Sequence, residues 1–130
     1  MRNIKCRYFL LVLILVVLLK QVAIYAYSIS NIDVNVVANG IHTTPVEGTK
    51  TNENHQKVIN TGNTQPWVQI FCTSGYGGTS NYYGIPAGIT WYTDDSNYSQ
   101  VNFNGNYKMR LKNNNPLFTK RFQVTWNLNG

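Results

Sequence analysis

The sequence has few of the residues on which catalytic and metal centres depend. Its 130 residues include five acids, two histidines and two cysteines, and charged residues make up 12% of the chain. Neither HExxH nor CxxC spacing occurs, so no metal site is indicated, and His42 and His55 are most simply solvated. Ser74 lies in no GxSxG turn, and the neighbouring glycine-rich run lacks the Lys-Ser/Thr of a phosphate loop. We therefore expect no enzyme, no cofactor and no metal.

The N-terminal segment has the three parts of a secretory signal peptide in order. A basic stretch is followed by an unbroken apolar run at residues 9–19 and then by small residues that allow cleavage after Ala26 or Ser28. Eleven apolar residues are too few for a spanning helix, which needs about 20, and Lys20 interrupts any extension. We predict that residues 1–28 are a signal peptide, that residues 29–130 are a single domain and that the protein is secreted, touching membrane only through this peptide.

Removal of this peptide would change the charge and the cysteine content. The formal charge of the whole chain is +6, but four cations lie in residues 1–28, which leaves seven cations against five acids, or +2. This modest charge gives no indication of nucleic-acid binding. Cys72 would be the only remaining thiol, so no disulfide could form within the domain. Cys72 is then either a small buried residue or a reactive or intermolecular thiol.

The rest of the sequence has no helical periodicity and is rich in strand-forming and turn-forming residues. Apolar alternation predicts a first strand at residues 29–38, whereas residues 40–64 are polar and predict one long loop. The mostly apolar residues 67–73 favour a strand buried on both faces. Short strands are expected around Tyr82 and Tyr83 and at residues 89–93, and Asp94 and Asp95 begin a turn.

The last third carries the clearest local pattern. Asn104 and Gly105 form the strongest two-residue hairpin signal, which predicts a tight turn between strands at residues 101–103 and 107–111. A last strand follows, with Phe122, Val124 and Trp126 on one face. The whole domain is predicted to be all-β, a small antiparallel sandwich of about seven short strands, with a small open barrel as the alternative.

Two groups of side chains are candidates for binding. Tyr76, Tyr82 and Tyr83 lie beside glycines, where aromatic rings are accessible for stacking on sugars. Strand alternation sends Lys108, Arg110 and Lys112 to the side opposite the apolar residues, and we expect Arg121 to join them from the last strand. Such a cluster either binds an anionic partner or is a solvated surface that protects a strand from aggregation.

Several short motifs carry a resemblance. They are Ala38-Asn39-Gly40, Gln65-Pro66-Trp67-Val68, Gly77-Gly78-Thr79, Trp91 and the basic run at residues 107–115. In this order they resemble an uncharacterised family of small exported proteins of Gram-positive bacteria. In size, leader and Gly/Tyr/Trp-rich β character, the chain is loosely similar to the lactococcin 972 group of bacteriocins. Neither resemblance implies a particular site residue.

Two functions follow as hypotheses. The first is a secreted non-catalytic domain that binds a cell-envelope polymer, such as an anionic cell-wall polymer or glycan, or another surface component. The second is a secreted bacteriocin-like antibacterial protein. Export and the basic C-terminal third support this hypothesis, whereas the low net charge does not.

Overall fold

The computed structural model describes residues 6–15, 29–93 and 99–130. Residues 6–15 are helical, and no helix within these three ranges is long and apolar enough to cross a membrane. The predicted cleavage positions at Ala26 and Ser28 and the predicted turn at Asp94 and Asp95 lie outside the described residues.

Nine β-strands make up just under half of the described residues. In chain order they are β1 (Ile29–Val36), β2 (Ile41–Thr43), β3 (Gly48–Lys50), β4 (Lys57–Asn60), β5 (Trp67–Gly75), β6 (Tyr83–Gly84), β7 (Thr90–Tyr92), β8 (Gly105–Lys112) and β9 (Lys120–Asn127). A single 3₁₀ turn, Ser99–Val101, precedes β8. The prediction of an all-β protein is confirmed, with nine strands where about seven were expected.

The strands form two antiparallel sheets. Sheet A has the order β1-β9-β4-β7, and sheet B has the order β2-β8-β5-β6, with β3 pairing with the same strand, β8, as β2 does. β2 and β3 therefore act as one edge strand interrupted by a connection that contains Pro45, a residue suited to sheet edges. Counted in this way, two four-stranded sheets remain, with the first strand beside the last. This is the strand order of a jelly roll.

The core lies between the two sheets and is built by alternation. On β9, Phe122, Val124 and Trp126 are buried, as predicted, and on β8 the buried residues are Tyr107, Met109 and Leu111. Burial of each large apolar side chain contributes about 1.5–3 kcal/mol, so these two central strands supply much of the stability. The Trp126 indole donates to Oε1 of the buried Gln56 at 2.8 Å, which satisfies its only polar group.

The predicted loop at residues 40–64 is wrong. This segment contains β2, β3 and β4, which belong to both sheets. Its residues are polar because β2 and β3 are three residues long and lie at an edge, where backbone pairing with β8 holds them. The segment at residues 67–73 is a strand, but only one face is buried: Val68 and Ile70 are fully covered, while Gln69 is partly exposed.

The predicted hairpin at Asn104 and Gly105 is also wrong. Residues 99–101 form the 3₁₀ turn instead of a strand, and β8 begins at Gly105 itself. The long partner of β8 is β5, in which Gly75 pairs with Gly105. Gly105 is required by a close approach: a Cβ atom there would lie 2.6 Å from the Ser74 carbonyl oxygen. The glycine therefore permits tight strand contact where a turn was expected.

Candidate functional site: the cationic face of sheet B

The outer surface of sheet B gathers cations and aromatic rings. Because Tyr107, Met109 and Leu111 point into the core, the alternate residues of β8 point outward. The outward residues of the neighbouring β5 are similarly fixed by the burial of Val68 and Ile70. We call the resulting surface the cationic face, and define it by Trp67, Gln69, Phe71, Tyr82, Lys108, Arg110 and Lys112.

Arg110 is held in a defined orientation at the centre of this face. Its guanidinium carbon lies 4.1 Å from the centroid of the Phe71 ring, and Nη1 donates to Oε1 of Gln69 at 2.8 Å. An arginine side chain has five N–H donors, and of these only Nη1–H has a hydrogen-bond partner among the residues that the structure describes. The planar guanidinium is therefore held by the Phe71 ring and by Gln69, and its other N–H groups point to where an anion can accept from them.

The two lysines of the face are less constrained. The Lys112 ammonium lies 5.7 Å from the centroid of the Tyr82 ring, so this side chain leans across β5 towards β6. Lys108 is half-buried and pairs across the strands with Phe71, the ring that carries Arg110. Neither lysine forms an ion pair with a described residue. No carboxylate in the described part of the chain neutralises their charges.

Uncharged side chains surround the three cations. The residues paired with them on β2 and β5 are Ile41, Thr43, Trp67, Gln69 and Phe71. Within residues 29–93 and 99–130, no outward position of β2, β3, β5 or β8 holds an acid. Glu47 lies in the edge connection between β2 and β3 and forms no ion pair with any described residue. The face thus carries three formal positive charges without a matching carboxylate.

Arg121 does not join this cluster, so that prediction is wrong. β9 belongs to sheet A, and its outward residues face away from sheet B. Arg121 forms a bidentate ion pair with Asp33 of β1, with Nε and Nη2 at 2.8 and 2.6 Å from the two carboxylate oxygens. This hydrogen bonding lowers the pKa of Asp33 below its usual range. Arg121 therefore links β9 to β1 through this ion pair.

The three candidate tyrosines do not form one stacking surface. Tyr76 is 96% exposed just after β5, whereas Tyr83 pairs with Val68 and is 38% exposed, with its ring stacked on Trp91 at 5.2 Å between centroids. Tyr82 is the one on the cationic face, and the Lys112 ammonium lies over its ring. Tyr76 and Tyr83 are exposed, as expected beside glycines, but the three rings lie at separate places, and the Tyr82 ring is paired with a cation.

Cys72 lies at the edge of the core on β5. It is a partly buried free thiol whose Sγ contacts the Ser74 carbonyl oxygen at 3.2 Å, and it packs against the buried core cluster. The neighbouring Tyr107 hydroxyl donates to the Phe103 carbonyl at 2.6 Å, and burial raises the pKa of Tyr107. The partial burial of Cys72 lies between that of a fully buried packing residue and that of an accessible thiol, so both alternatives, a buried residue and a reactive or intermolecular thiol, stay open.

The two histidines lie apart from one another in the fold. His42 pairs with Leu111 on β2, whereas the His55 ring contacts the Thr93 carbonyl oxygen at 3.1 Å. Among the described residues, no group of three or more His, Cys, Asp and Glu side chains is placed to hold a metal ion. His42 borders an apolar pocket of about 330 Å³ between β1 and the β2–β3 connection, together with Ile32, Val46 and Trp126.

One charged residue of structural importance was not singled out from the sequence. Lys50 is 1% exposed, and its ammonium group donates to the Leu128 carbonyl at 2.9 Å, to the Asn54 carbonyl and to Oδ1 of Asn52 at 3.2 Å. Burial lowers the pKa of Lys50 to about 8. No local signal identifies it, because a lysine in a polar segment is ordinarily solvated.

No protein-family model matches the sequence, and no curated protein matches it significantly. The resemblances described above stay predictions, and the functional argument depends on the geometry of the cationic face.

Proposed function

We propose that the protein is a secreted, non-catalytic domain that binds an anionic cell-envelope polymer through the cationic face. The observation that carries the proposal is the group of three outward cations on β8 that have no carboxylate partner among the described residues. A second support is the fixed guanidinium of Arg110, whose planar fork matches a phosphate or a carboxylate. Export is proposed from the basic and apolar parts of residues 1–28.

Charge is a better basis for this binding than ring stacking. The rings of Phe71 and Tyr82 already carry Arg110 and Lys112, which leaves Trp67, 36% exposed, as the ring of the face that has no cation over it among the described residues. The cations themselves are partly exposed and desolvated on one side by the rings, which makes them effective partners for an anion. The ligand expected on this face is therefore a polyanion rather than a neutral glycan.

The test is co-sedimentation of the purified domain with anionic cell-wall material at about 50 mM and about 500 mM salt. Three contacts to a linear polyanion give a log–log salt slope near −2, so binding should weaken about 100-fold over this range. The Lys108→Gln/Arg110→Gln/Lys112→Gln variant should lose most of the binding and most of the salt dependence.

A matched control changes the same charge on sheet A. Lys57 and Lys120 lie over the rings of Tyr92 and Phe118 at 6.0 and 5.9 Å, so they resemble the face cations in their local contacts. The Lys57→Gln/Lys120→Gln/Arg121→Gln variant removes three charges that lie outside β8, of which Lys120 is nearest to the face because it lines a pocket with Trp67, and it should bind nearly as well as the wild type. Equal loss in both triple variants would show that net charge alone governs association and would overturn the assignment of the face.

A further inference from the structure

We infer that the polyanion recognised by the cationic face is an acidic polysaccharide, and that one of its sugar rings stacks on Trp67. This inference rests on the proposed function and specifies its ligand. It derives from the way the Trp67 indole lies on sheet B and from the polar side chains that line the pocket beside it.

The Trp67 side chain lies across the neighbouring strand. Trp67 pairs with Gly84 of β6, and a Cβ atom at Gly84 would lie 3.2 and 3.3 Å from the indole atoms Cε2 and Cζ2. The side chains of a cross-strand pair lie on the same side of a sheet, so the indole occupies the space that a side chain at position 84 would fill. Trp67 is 36% exposed, so its ring is supported by the β6 backbone and is accessible to a ligand from the solvent side.

A small pocket opens beside this ring. Its volume is about 190 Å³, and it is lined by Trp67, by Lys120, by four amide side chains and by one threonine. Pockets for drug-sized ligands measure roughly 300–1,000 Å³, so this one has room for a single ring of a larger molecule. The site therefore suits one unit of a polymer.

Two of the amide side chains in this pocket are available to a ligand. Gln65 and Asn114 are exposed, and neither side chain has a hydrogen-bond partner among the described residues. Nε2 of Gln65 lies over Gly84, beside the Trp67 indole. An amide group offers an acceptor oxygen and two N–H donors, and a sugar hydroxyl both donates and accepts. Amides at the edge of an aromatic ring therefore match the hydroxyls of a pyranose whose C–H groups lie on that ring.

The cations of the face border the same site. Lys112 is the cross-strand partner of Trp67 on β8, and Lys120 lines the pocket, where it adds a donor for a hydroxyl oxygen. No acid of the described chain lines this pocket. A sugar on Trp67 can thus place its own acidic group, or that of the next unit, against Lys112 and Arg110. A neutral glycan would leave these charges unpaired, so the arrangement favours an acidic polysaccharide.

A single-stranded nucleic acid also combines stacking with negative charge. Its binding proteins present aromatic rings on which successive bases stack. On the cationic face, Phe71 carries Arg110 and Tyr82 carries Lys112, so Trp67 is the one ring of the described face without a cation over it. One platform bordered by amides favours a sugar over a run of bases, and nucleic acid becomes one of the outcomes of the test.

The experiment measures affinity at low salt for oligogalacturonate, polyphosphate and oligothymidylate, which carry acidic sugar rings, charge without rings and charge with bases. In Trp67→Leu, affinity for oligogalacturonate should fall about threefold to tenfold because a ring contact is lost, while affinity for polyphosphate stays unchanged. The control Tyr76→Leu removes a more exposed ring outside the pocket and should leave both affinities unchanged. Circular dichroism checks that both variants are folded.

A second variant keeps the tryptophan and all the charges. Gly84→Ala places a methyl group against the indole and the Gln65 amide, and these side chains can shift without disrupting the strands. Because the ring and the amide are then displaced, affinity for oligogalacturonate should fall about twofold to fivefold, again without a change for polyphosphate. Unchanged oligogalacturonate affinity in both Trp67→Leu and Gly84→Ala would overturn the inference.

The outcomes distinguish the inference from the proposed function. Oligogalacturonate binding that is lost in the triple Gln variant of the face but kept in Trp67→Leu would remove the role of Trp67 and leave polyanion binding standing. Equal loss of polyphosphate and oligogalacturonate binding in Trp67→Leu would do the same, since the ring would then only support the face. Tighter binding of oligothymidylate, with the difference lost in Trp67→Leu, would replace the sugar by a nucleobase. Absence of binding to all three probes, together with no association with anionic cell-wall material, would overturn both.

Discussion

The buried ammonium group of Lys50 should make the protein more stable at moderately alkaline pH. This group lies in the interior beside the Leu128 and Asn54 carbonyls, and its pKa is about 8 where an ordinary lysine has 10.5. Desolvation is the main cause of the lowered pKa, and the charge of Glu53 acts in the opposite direction. The folded protein therefore releases this proton at a lower pH than the unfolded chain does.

The sign and size of the effect follow from proton linkage. Between pH 8 and pH 10.5 the unfolded chain holds a proton that the folded protein has lost, so the free energy of unfolding rises with pH. The gap between the two pKa values is worth about 3 kcal/mol in full, and about 1–2 kcal/mol of it develops between pH 7 and pH 9.5. Above about pH 10 the raised pKa of the buried Tyr107 acts in the other direction.

Urea denaturation followed by tryptophan fluorescence measures this directly, because Trp91 and Trp126 are buried. The free energy of unfolding should rise from pH 7 to pH 9.5 in the wild type and in the control Lys57→Met. In Lys50→Met the rise should disappear, since the variant has no buried proton to release. A wild-type profile that is flat or falling over this range, or an unchanged rise in Lys50→Met, would refute the reasoning.

Two further predictions concern stability. Gly105→Ala should destabilise the domain by about 1–3 kcal/mol, since its Cβ would lie 2.6 Å from the Ser74 carbonyl oxygen, and an unchanged melting temperature would contradict this close approach. Asn113→Ala should cost about 1–3 kcal/mol in denaturant unfolding, because its buried amide donates to the Val36 and Phe118 carbonyls at 2.9 and 2.8 Å, whereas the exposed neighbour Asn114→Ala should have little effect.

Local sequence patterns predicted the long strands β1, β8 and β9 and their buried faces correctly, whereas β5 was expected to be buried on both faces and is buried on one. On β1 and β9 the alternation of apolar and polar residues identified which side chains enter the core, because a strand packed on one face must repeat every two residues. The same rule correctly placed Lys108, Arg110 and Lys112 on the outer side of β8. These features depend on one strand at a time.

The errors concern relations between strands that are distant in sequence. Alternation shows that Arg121 points outward, but it does not show that β9 and β8 belong to different sheets. The Asn104-Gly105 signal describes a local turn, whereas β8 pairs with β5 and with the edge strands β2 and β3. Short edge strands such as β3, whose sequence is Gly-Thr-Lys, contain no apolar pattern and owe their conformation to a partner.

The pairing of β1 with β9 has a consequence for how the protein matures. Within the described residues, the only strand beside β1 in its sheet is β9, and the Asp33–Arg121 ion pair joins positions 88 residues apart. Before β9 has been synthesised, β1 has no strand partner and the apolar residues that β9 covers are exposed to solvent. Such non-local topologies close slowly. Sheet A is therefore completed only after β9 has been synthesised.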